Sequence, residues 1–322
     1  MAAAPFSRVA VIGAGLMGHG IAQVFALSGR DVFLNDANPE SLSRARAGIA
    51  ANLDLFAREG VISRAEGEMA LAHIHLEPDL TAAVARAEYI TEVVFEDLAV
   101  KQDVFSRLDA LAAPEVIIAS NTSGLSANGI VRDVQRRSQC LVTHFWNPPH
   151  ILPLVEVVRN DQTSDATVAT VTQLLRAIGK VPVVVQKDIP GQIGNRLQYA
   201  LFREAVALVQ SGVCSPEDVD TVIKMSFGRR LSTIGILETV DVNGTSLWAD
   251  ISHYLFRELD TSDDTLPYHQ DLIRHGRTGV KAGAGFHDWP AERLAETLGR
   301  RDAELLRWLR LDRAARPAVT AR

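Results

Sequence analysis

Residues 9–36 read VAVIGAGLMGHGIAQVFALSGRDVFLND, and this stretch determines the fold of the first half of the chain. An apolar run leads into Gly13, Gly15 and Gly18, which stand in GxGxxG spacing, and a helical pattern follows. A second apolar run then ends at Asp36. A strand, a glycine turn, a helix and a second strand in this order predict the first βαβ unit of a Rossmann-type dinucleotide-binding domain.

Each residue of this motif has a physical role in binding a dinucleotide. Gly13 allows the tight turn, Gly15 lets the backbone approach a pyrophosphate, and Gly18 lets the helix pack on the sheet. The helix N-terminus favours the phosphate charge. Asp36, 23 positions beyond Gly13, stands where an acidic residue hydrogen-bonds the adenosine ribose, and no arginine follows it in residues 37–39. The motif alone also fits FAD, but a hydride-transfer site further along favours NAD, and the missing arginine disfavours NADP.

Length and composition exclude several classes of protein. A chain of 322 residues predicts two domains, and a formal net charge of -6 without a long basic run argues against a nucleic-acid partner. No apolar stretch approaches the roughly 20 residues needed to cross a bilayer, so we expect a cytoplasmic protein without a membrane partner. Cys140 and Cys214 form no CxxC pair, and His73 and His75 stand without a carboxylate pattern. We therefore predict neither a disulfide framework nor a metal site.

The pattern of strands and helices changes once along the chain. The first 150 residues alternate β-branched runs with helical patterns, which is typical of βαβ units and a parallel sheet. Residues 39–58 and a second helix after Ser63 predict a helical arm on this domain. After Lys187 the pattern is almost entirely helical. The prediction is an α/β fold: a Rossmann-type NAD-binding domain over residues 1–187, then an all-helical substrate and dimerisation domain over 188–322, with a frayed tail beyond Leu311.

The segment HFWNPPHILPLVEVV, residues 144–158, contains a candidate catalytic pair. His144 ends a predicted strand, and ligands of open α/β sheets bind at such carboxyl edges. A histidine near neutral pH can accept a hydroxyl proton, and a carboxylate fixes its tautomer and stabilises the imidazolium. Glu156 stands inside an apolar strand, where an unpaired charge is costly. The sequence therefore predicts His144 as general base and Glu156 as its partner, whereas Trp146 either lines the pocket or fills the core.

At these residues the sequence resembles the L-3-hydroxyacyl-CoA dehydrogenase family, and the likeness covers nearly the whole chain. It includes the glycine turn, HFWNP with LVEVV, and three further motifs: SNTSGL (120–125), PGQIGNRL (190–197) and KAGAGFHDW (281–289). The resemblance implies NAD-dependent oxidation of the 3-hydroxyl of an L-3-hydroxyacyl-CoA to the 3-ketoacyl-CoA, as in fatty acid metabolism.

The resemblance also implies the roles of individual residues. Ser120 and Asn195 are expected to hydrogen-bond the reacting oxygen, as catalytic and substrate-binding residues beside His144 and Glu156. Glu96 and Lys101, in FEDLAVKQDVF (95–105), are expected along the NAD site. The predicted cofactor-binding set is Gly13, Gly15, Leu16, Met17, Gly18, Asp36, Glu96, Lys101 and Asn121.

Several positions depart from the family pattern and leave the substrate open. Gln192 and Gly194 stand where the family usually has apolar residues, Pro153 where many members have lysine, and His287 where an aromatic residue is common. FGRRLSTIGILET (227–239) and NPPHILPLVEVV look more like the lambda-crystallin, gulonate and carnitine dehydrogenase branch, whose members act on free hydroxy compounds.

Three readings of function follow. The first is a 3-hydroxyacyl-CoA dehydrogenase, the second is the same chemistry on a free 3-hydroxy acid, and the third is a non-catalytic, crystallin-like NAD-binding protein. Arg230 bears on the second, because the free-acid branch has an arginine there and its fork of donors fits a substrate carboxylate. Apolar helices in the second domain, together with the resemblance, predict a homodimer.

Overall fold

The computed structural model describes residues 5–315 and contains one eight-stranded sheet. The strand order is β3-β2-β1-β4-β5-β6-β7-β8. The strands are β1 Arg8–Ile12, β2 Asp31–Asn35, β3 Ile74–Glu77, β4 Tyr89–Glu92, β5 Ile117–Ser120, β6 Cys140–Phe145, β7 Leu154–Arg159 and β8 Val181–Val185.

Fourteen α-helices lie within residues 5–315. They are α1 Leu16–Leu27, α2 Pro39–Arg58, α3 Arg64–Ala72, α4 Leu80–Arg86, α5 Leu98–Leu111, α6 Ala127–Ile130, α7 Asp165–Ala177, α8 Gly194–Gln210, α9 Pro216–Met225, α10 Phe227–Leu231, α11 Ile236–Asn243, α12 Thr245–Leu255, α13 Pro267–Arg274 and α14 Ala291–Ala314.

The sheet is parallel from β3 to β6, but β7 runs antiparallel to β6. The sequence predicts a parallel sheet for the first 150 residues, and β7, which lies beyond them, differs from it in direction. The physical reason for the difference is the short connection over residues 146–153, since parallel neighbours need a crossover of about a dozen residues or more. The reversal pairs His144 of β6 directly with Glu156 of β7.

Helices cover both faces of the sheet, because successive side chains of a strand point to opposite faces. Val9 and Val11 of β1 join one buried cluster with residues of α1, α2 and α7. Ala10 and Ile12 join a second cluster with residues of α4, α5 and α6. Burial on both faces explains why β1 reads as a continuous apolar run.

The predicted helical arm consists of α2 and α3. Ser63 and Glu66 form the capping box at the start of α3, as expected: the hydroxyl of Ser63 accepts from the Glu66 N–H, and the Glu66 carboxylate accepts from the Ser63 N–H. The last part of α14 packs on this arm, where Arg313 lies 3.3 Å from Glu66. The helix therefore continues through residues 312–314, where a frayed tail was expected, and residues 316–322 lie outside the described part.

The chain divides into two compact units, and the boundary differs from the predicted one. The first unit comprises the described residues up to Asn195 and again from Arg301, and the second comprises Arg196–Arg300. The sequence analysis placed a single boundary at 187/188. The chain returns to the first unit because Leu306 and Leu309 of α14 belong to its apolar core. Residues up to Asn195 stay in this unit because the Ile193 and Gly194 N–H groups donate to Glu156 of β7.

The second unit is helical, as predicted. Apart from helices and turns, residues 196–300 contain two isolated β-bridges, within residues 279–288. Phe202 contacts His269 and Phe286 edge-to-face. Many large apolar side chains of this unit are exposed in the single chain, among them Leu197, Tyr199, Val222, Met225, Leu237, Val242, Tyr254 and Phe256.

Candidate active site

The glycine turn has the shape that its sequence predicts. Gly13 has a φ of +111°, and a Cβ there would stand 2.7 Å from the carbonyl oxygen of Val93. A Cβ at Gly18 would stand 1.8 Å from the carbonyl oxygen of Gly13, so the start of α1 lies directly on the turn. Neither position admits another residue without a shift of backbone.

The space beside this turn fits the pyrophosphate of a dinucleotide. Gly15 is the N-cap of α1, and no atom lies within 4 Å of the position that a Cβ would occupy. The open space therefore lies at a helix N-terminus that no side chain caps. Leu16 is 69% exposed in the first turn of α1, whereas the side chain of Met17 packs on the core.

Asp36 is held in place beside the glycine turn. Its Oδ2 accepts from the Ala14 N–H at 2.9 Å, and its Oδ1 accepts from the Asn38 N–H at 2.9 Å. The carboxylate is partly exposed. Its position at the end of β2 fits an acceptor for ribose hydroxyls.

His144 and Glu156 form a buried pair at the carboxyl edge of the parallel strands. The His144 Nδ1 lies 2.8 Å from the Glu156 Oε2, and the exposed fractions of the two side chains are 5% and 2%. Glu156 must accept this hydrogen bond, so Nδ1 carries the proton and Nε2 of the neutral ring is an acceptor. Among the described residues, Nε2 has no hydrogen-bond partner.

The Glu156 carboxylate has four donors in all. Oε2 also accepts from the Trp146 indole N–H at 3.3 Å, while Oε1 accepts from the Ile193 and Gly194 N–H groups at 2.9 and 3.0 Å. Burial alone raises the pKa of Glu156, but the hydrogen bonds from His144, Gly194 and Ile193 outweigh it and hold the pKa below its usual value. Glu156 is therefore an anion that stabilises positive charge on His144.

A second buried ion pair, between Glu92 and Lys101, lies at the same edge, and this pairing was not predicted. The Lys101 ammonium lies 2.7 Å from the Glu92 Oε1, and both side chains are fully buried. The Ser120 hydroxyl donates to the Glu92 Oε2 at 2.6 Å. Burial raises the pKa of Glu92, and the Lys101 charge opposes that rise. Glu92 interrupts the apolar strand YITEVV, and the argument that identified Glu156 would have identified it too.

These contacts give Ser120 and Lys101 partners other than the predicted ones. The one hydroxyl proton of Ser120 already points at Glu92, so the hydroxyl must turn before it can donate to a substrate oxygen. The Lys101 side chain is fully covered, so it presents no surface to a cofactor. Their predicted roles at the substrate and the NAD site remain predictions.

Of the remaining predicted residues, Glu96 and Asn195 hold the loop at 122–124. Glu96 accepts from the Ser123 N–H at 2.8 Å, and its side chain remains partly exposed. The Asn195 amide donates to the Ser123 carbonyl at 2.6 Å. Asn121 accepts from the Phe145 N–H at 2.9 Å and so joins the ends of β5 and β6. Arg230 lies in α10 and is exposed in the second unit.

Three of the four positions that depart from the family pattern lie in two places, and the fourth, Pro153, directly precedes β7. Gln192 is buried with a φ of +55°, and its amide donates to the Thr122 carbonyl at 3.2 Å. Gly194 begins α8 beside Trp146. Within the second unit, the His287 ring lies between Glu217 at 2.9 Å and Asp220 at 3.2 Å. Each ring nitrogen of His287 therefore contacts a carboxylate.

The dinucleotide turn, Asp36 and the buried His-Glu pair together define an NAD-dependent oxidoreductase. Comparison with known proteins agrees. The sequence model described as "3-hydroxyacyl-CoA dehydrogenase, NAD binding domain" matches residues 8–189, and that described as "3-hydroxyacyl-CoA dehydrogenase, C-terminal domain" matches residues 191–289. The chain belongs to the 3-hydroxyacyl-CoA dehydrogenase family, and its cofactor is NAD.

Two relatives illustrate the range of substrates among similar proteins. A 5-formyl-3-hydroxy-2-methylpyridine 4-carboxylate 5-dehydrogenase of Mesorhizobium japonicum is 33% identical over 299 residues, which are 93% of this chain and 96% of the relative. The human mitochondrial hydroxyacyl-coenzyme A dehydrogenase is 34% identical over 293 residues, covering 88% and 91%.

Structural comparison extends the first similarity. The crystal structure of the pyridine-carboxylate dehydrogenase, described as an NAD+-dependent dismutase, superposes with a TM-score of 0.88. It is 32% identical and covers 97% of this chain and 99% of that structure. None of the helices in residues 5–315 combines the length and apolar character of a membrane span. In the same residues no three His, Cys, Asp or Glu side chains are placed so that they could hold a metal ion.

Proposed function

We propose that this protein catalyses reversible oxidation of the 3-hydroxyl of a 3-hydroxyacyl-CoA, with His144 as the general base. The observation that carries the proposal is the buried pair of His144 and Glu156. The Nε2 of His144 has no hydrogen-bond partner among the described residues. Family membership and the human hydroxyacyl-coenzyme A dehydrogenase support the acyl-CoA substrate.

NAD, which the glycine turn and Asp36 would hold, would supply the hydride acceptor for the carbon that bears the hydroxyl. The Nε2 of His144 accepts the hydroxyl proton, so that the alcohol becomes a ketone and the imidazole becomes an imidazolium. Glu156 stabilises this cation and keeps Nδ1 protonated throughout. In the reverse direction His144 returns the proton to the oxygen of the ketone.

The test is oxidation of NADH with acetoacetyl-CoA as substrate, followed by the absorbance of NADH. We expect saturable turnover that falls by roughly 10² to 10⁴-fold in the variant His144→Gln. Absence of turnover with acyl-CoA substrates of several chain lengths, by a protein that binds NADH, would eliminate the acyl-CoA reading.

A second candidate is a small free compound that bears a carboxylate. It is favoured by the similarity to the pyridine-carboxylate dehydrogenase, which extends over 97% of this chain. We propose Arg230 as the residue that binds the carboxylate in that case, because a guanidinium can form two parallel hydrogen bonds with it.

The variant Arg230→Met separates the two candidates. If the substrate is a free acid, we expect its KM to rise about tenfold or more, at roughly 1.4 kcal/mol per decade, while the Kd for NAD stays unchanged. If the wild type and Arg230→Met both turn over a simple 3-hydroxyacyl-CoA strongly and at equal rates, the free-acid candidate is eliminated. Arg229→Met is the matched control.

We also propose that the protein acts as a homodimer through its helical domain. The exposed apolar side chains of that unit support this, because soluble monomers rarely expose large contiguous apolar patches. Light scattering at micromolar concentration should give twice the chain mass of 35.0 kDa. A monomer under those conditions contradicts the proposal.

A further inference from the structure

Trp146 and His144 donate to the same oxygen of Glu156. The Nε1 of Trp146 lies 3.3 Å from Oε2, and the Nδ1 of His144 lies 2.8 Å from it. The indole ring also lies beside the imidazole, with the ring centroids 5.3 Å apart and the planes inclined by 46°. Trp146 therefore contacts both members of the pair.

Gly194 makes room for this indole. A Cβ at Gly194 would stand 2.2 Å from the Cζ2 and 3.1 Å from the Cη2 of Trp146, and real Cβ contacts are essentially never below 3.0 Å. Gly194 has no positive φ, so the backbone conformation does not demand glycine there. The glycine is required by the ring. Its N–H simultaneously donates to the Oε1 of Glu156.

We propose that Trp146 is a positioning residue and that Gly194 is the partner that keeps its indole on Glu156. The indole N–H shares Oε2 with His144 and so limits how strongly Glu156 stabilises the imidazolium. A histidine held too strongly as the cation would already be protonated at neutral pH and could not accept a proton. This inference rests on the proposed role of His144 as general base.

Other titratable groups at this edge are already engaged with each other. Glu92 on β4 pairs with Lys101, and Glu96 lies 3.7 Å from the same ammonium. The carboxylate that faces His144 across the sheet is Glu156 of β7. A change at Trp146 therefore reaches His144 through the Glu156 oxygen that both residues contact.

The variant Trp146→Phe removes the N–H and keeps an aromatic ring. We expect the acidic limb of the profile of kcat/KM against pH, measured for alcohol oxidation, to move upward by about half a pH unit or more. We expect kcat to fall severalfold and the Kd for NAD to stay unchanged. A limb that does not move overturns the proposal.

The matched control is Trp308→Phe. Trp308 lies in α14, away from the pair, and the Arg307 guanidinium lies 5.0 Å from the centroid of its ring. Loss of that indole should leave the pH profile unchanged. An equal shift in both variants would mean that the shift has a general cause and would contradict the proposal.

The variant Gly194→Ala tests the second half of the proposal and does not depend on the folding of Trp146→Phe. The added methyl group must displace the indole, so the limb should move in the same direction while the N–H of residue 194 is kept. In the double variant the methyl group should add nothing to the effect of Trp146→Phe. Additive effects, or a silent Gly194→Ala, would overturn the proposed coupling.

The variant His144→Gln separates this inference from the proposed function. If the acidic limb of the pH profile persists in His144→Gln, it belongs to another group, and His144 is not the base. If the limb disappears in His144→Gln but does not move in Trp146→Phe, His144 remains the base and only the positioning role of Trp146 is eliminated.

Discussion

Two buried carboxylates at one edge of the sheet, Glu156 and Glu92, differ in their partners and consequently in what they can do. Glu156 lies 2.8 Å from a histidine, and Glu92 lies 2.7 Å from a lysine. A lysine remains charged across physiological pH, whereas a histidine titrates within it. Of the two pairs, therefore, that of His144 is suited to exchange a proton with a substrate.

The two carboxylates also differ in the direction of their pKa shifts. Burial raises the pKa of both, and for Glu92 this effect prevails over the Lys101 charge. For Glu156 the hydrogen bonds from His144, Gly194 and Ile193 prevail, so its pKa is lowered. Two N–H groups at the start of α8 thus help to keep Glu156 ionised.

The largest expected effect is on catalysis by the His144 pair. His144→Gln removes the proton acceptor, and we expect kcat to fall by roughly 10² to 10⁴-fold, the usual contribution of general base catalysis. The Kd for NAD, measured by fluorescence titration, should stay the same. Near-normal turnover would show that the two buried pairs do not differ in function.

The Lys101 pair should affect stability instead. Lys101→Met leaves a buried carboxylate without its cation, which costs about 3–5 kcal/mol of unfolding free energy. Because loss of the ammonium raises the pKa of Glu92 further, the destabilisation should be larger at pH 8 than at pH 5. The double variant Glu92→Gln/Lys101→Met should recover most of the loss in denaturant unfolding. If Glu92→Gln does not reduce the loss of unfolding free energy caused by Lys101→Met, the pair does not have the structural role assigned to it.

Glu156→Gln should lower turnover in the same way as His144→Gln but by less, because the base itself remains. Its effect on stability depends on pH in the same direction as that of Lys101→Met, but over a lower pH range. A lowered pKa gives stability that is present above the unfolded-state value, near 4.3, and is lost as the pH falls through the folded-state value. The difference in unfolding free energy between wild type and variant should therefore shrink below about pH 4. A difference that grows on acidification would refute the lowered pKa.

The smallest effect is expected at a third carboxylate, Asp36, which is partly exposed and is held by two backbone N–H groups. Asp36→Ala should weaken NAD binding and reduce the discrimination against NADP, with little change in kcat at saturating cofactor. Cofactor preference is measured as the ratio of kcat/KM for NAD to that for NADP. Equal use of both cofactors by the wild type would show that Asp36 does not select the ribose.

Local sequence patterns, namely residue spacing and hydrophobic periodicity, determined much of this architecture. The spacing of the glycines and the acid at the end of β2 predicted the βαβ unit. Gly13 and Gly18 are required by close approaches of backbone, and Gly15 leaves the space beside the turn open. The change to helical periodicity after Lys187 likewise predicted a helical second unit. The lone charge in an apolar strand identified Glu156, and the same rule applied to YITEVV would have identified Glu92.

The tertiary structure decided which of the buried polar side chains contact each other. The sequence did not indicate that β7 reverses direction, yet this reversal sets Glu156 directly opposite His144. Nor did it indicate that Ser120 and Lys101 converge on Glu92, since the three residues lie on separate elements. The N-terminus of α8 reaches Glu156 across 37 positions of sequence. Such contacts depend on strand direction and packing between distant segments, which residue spacing along the chain does not encode.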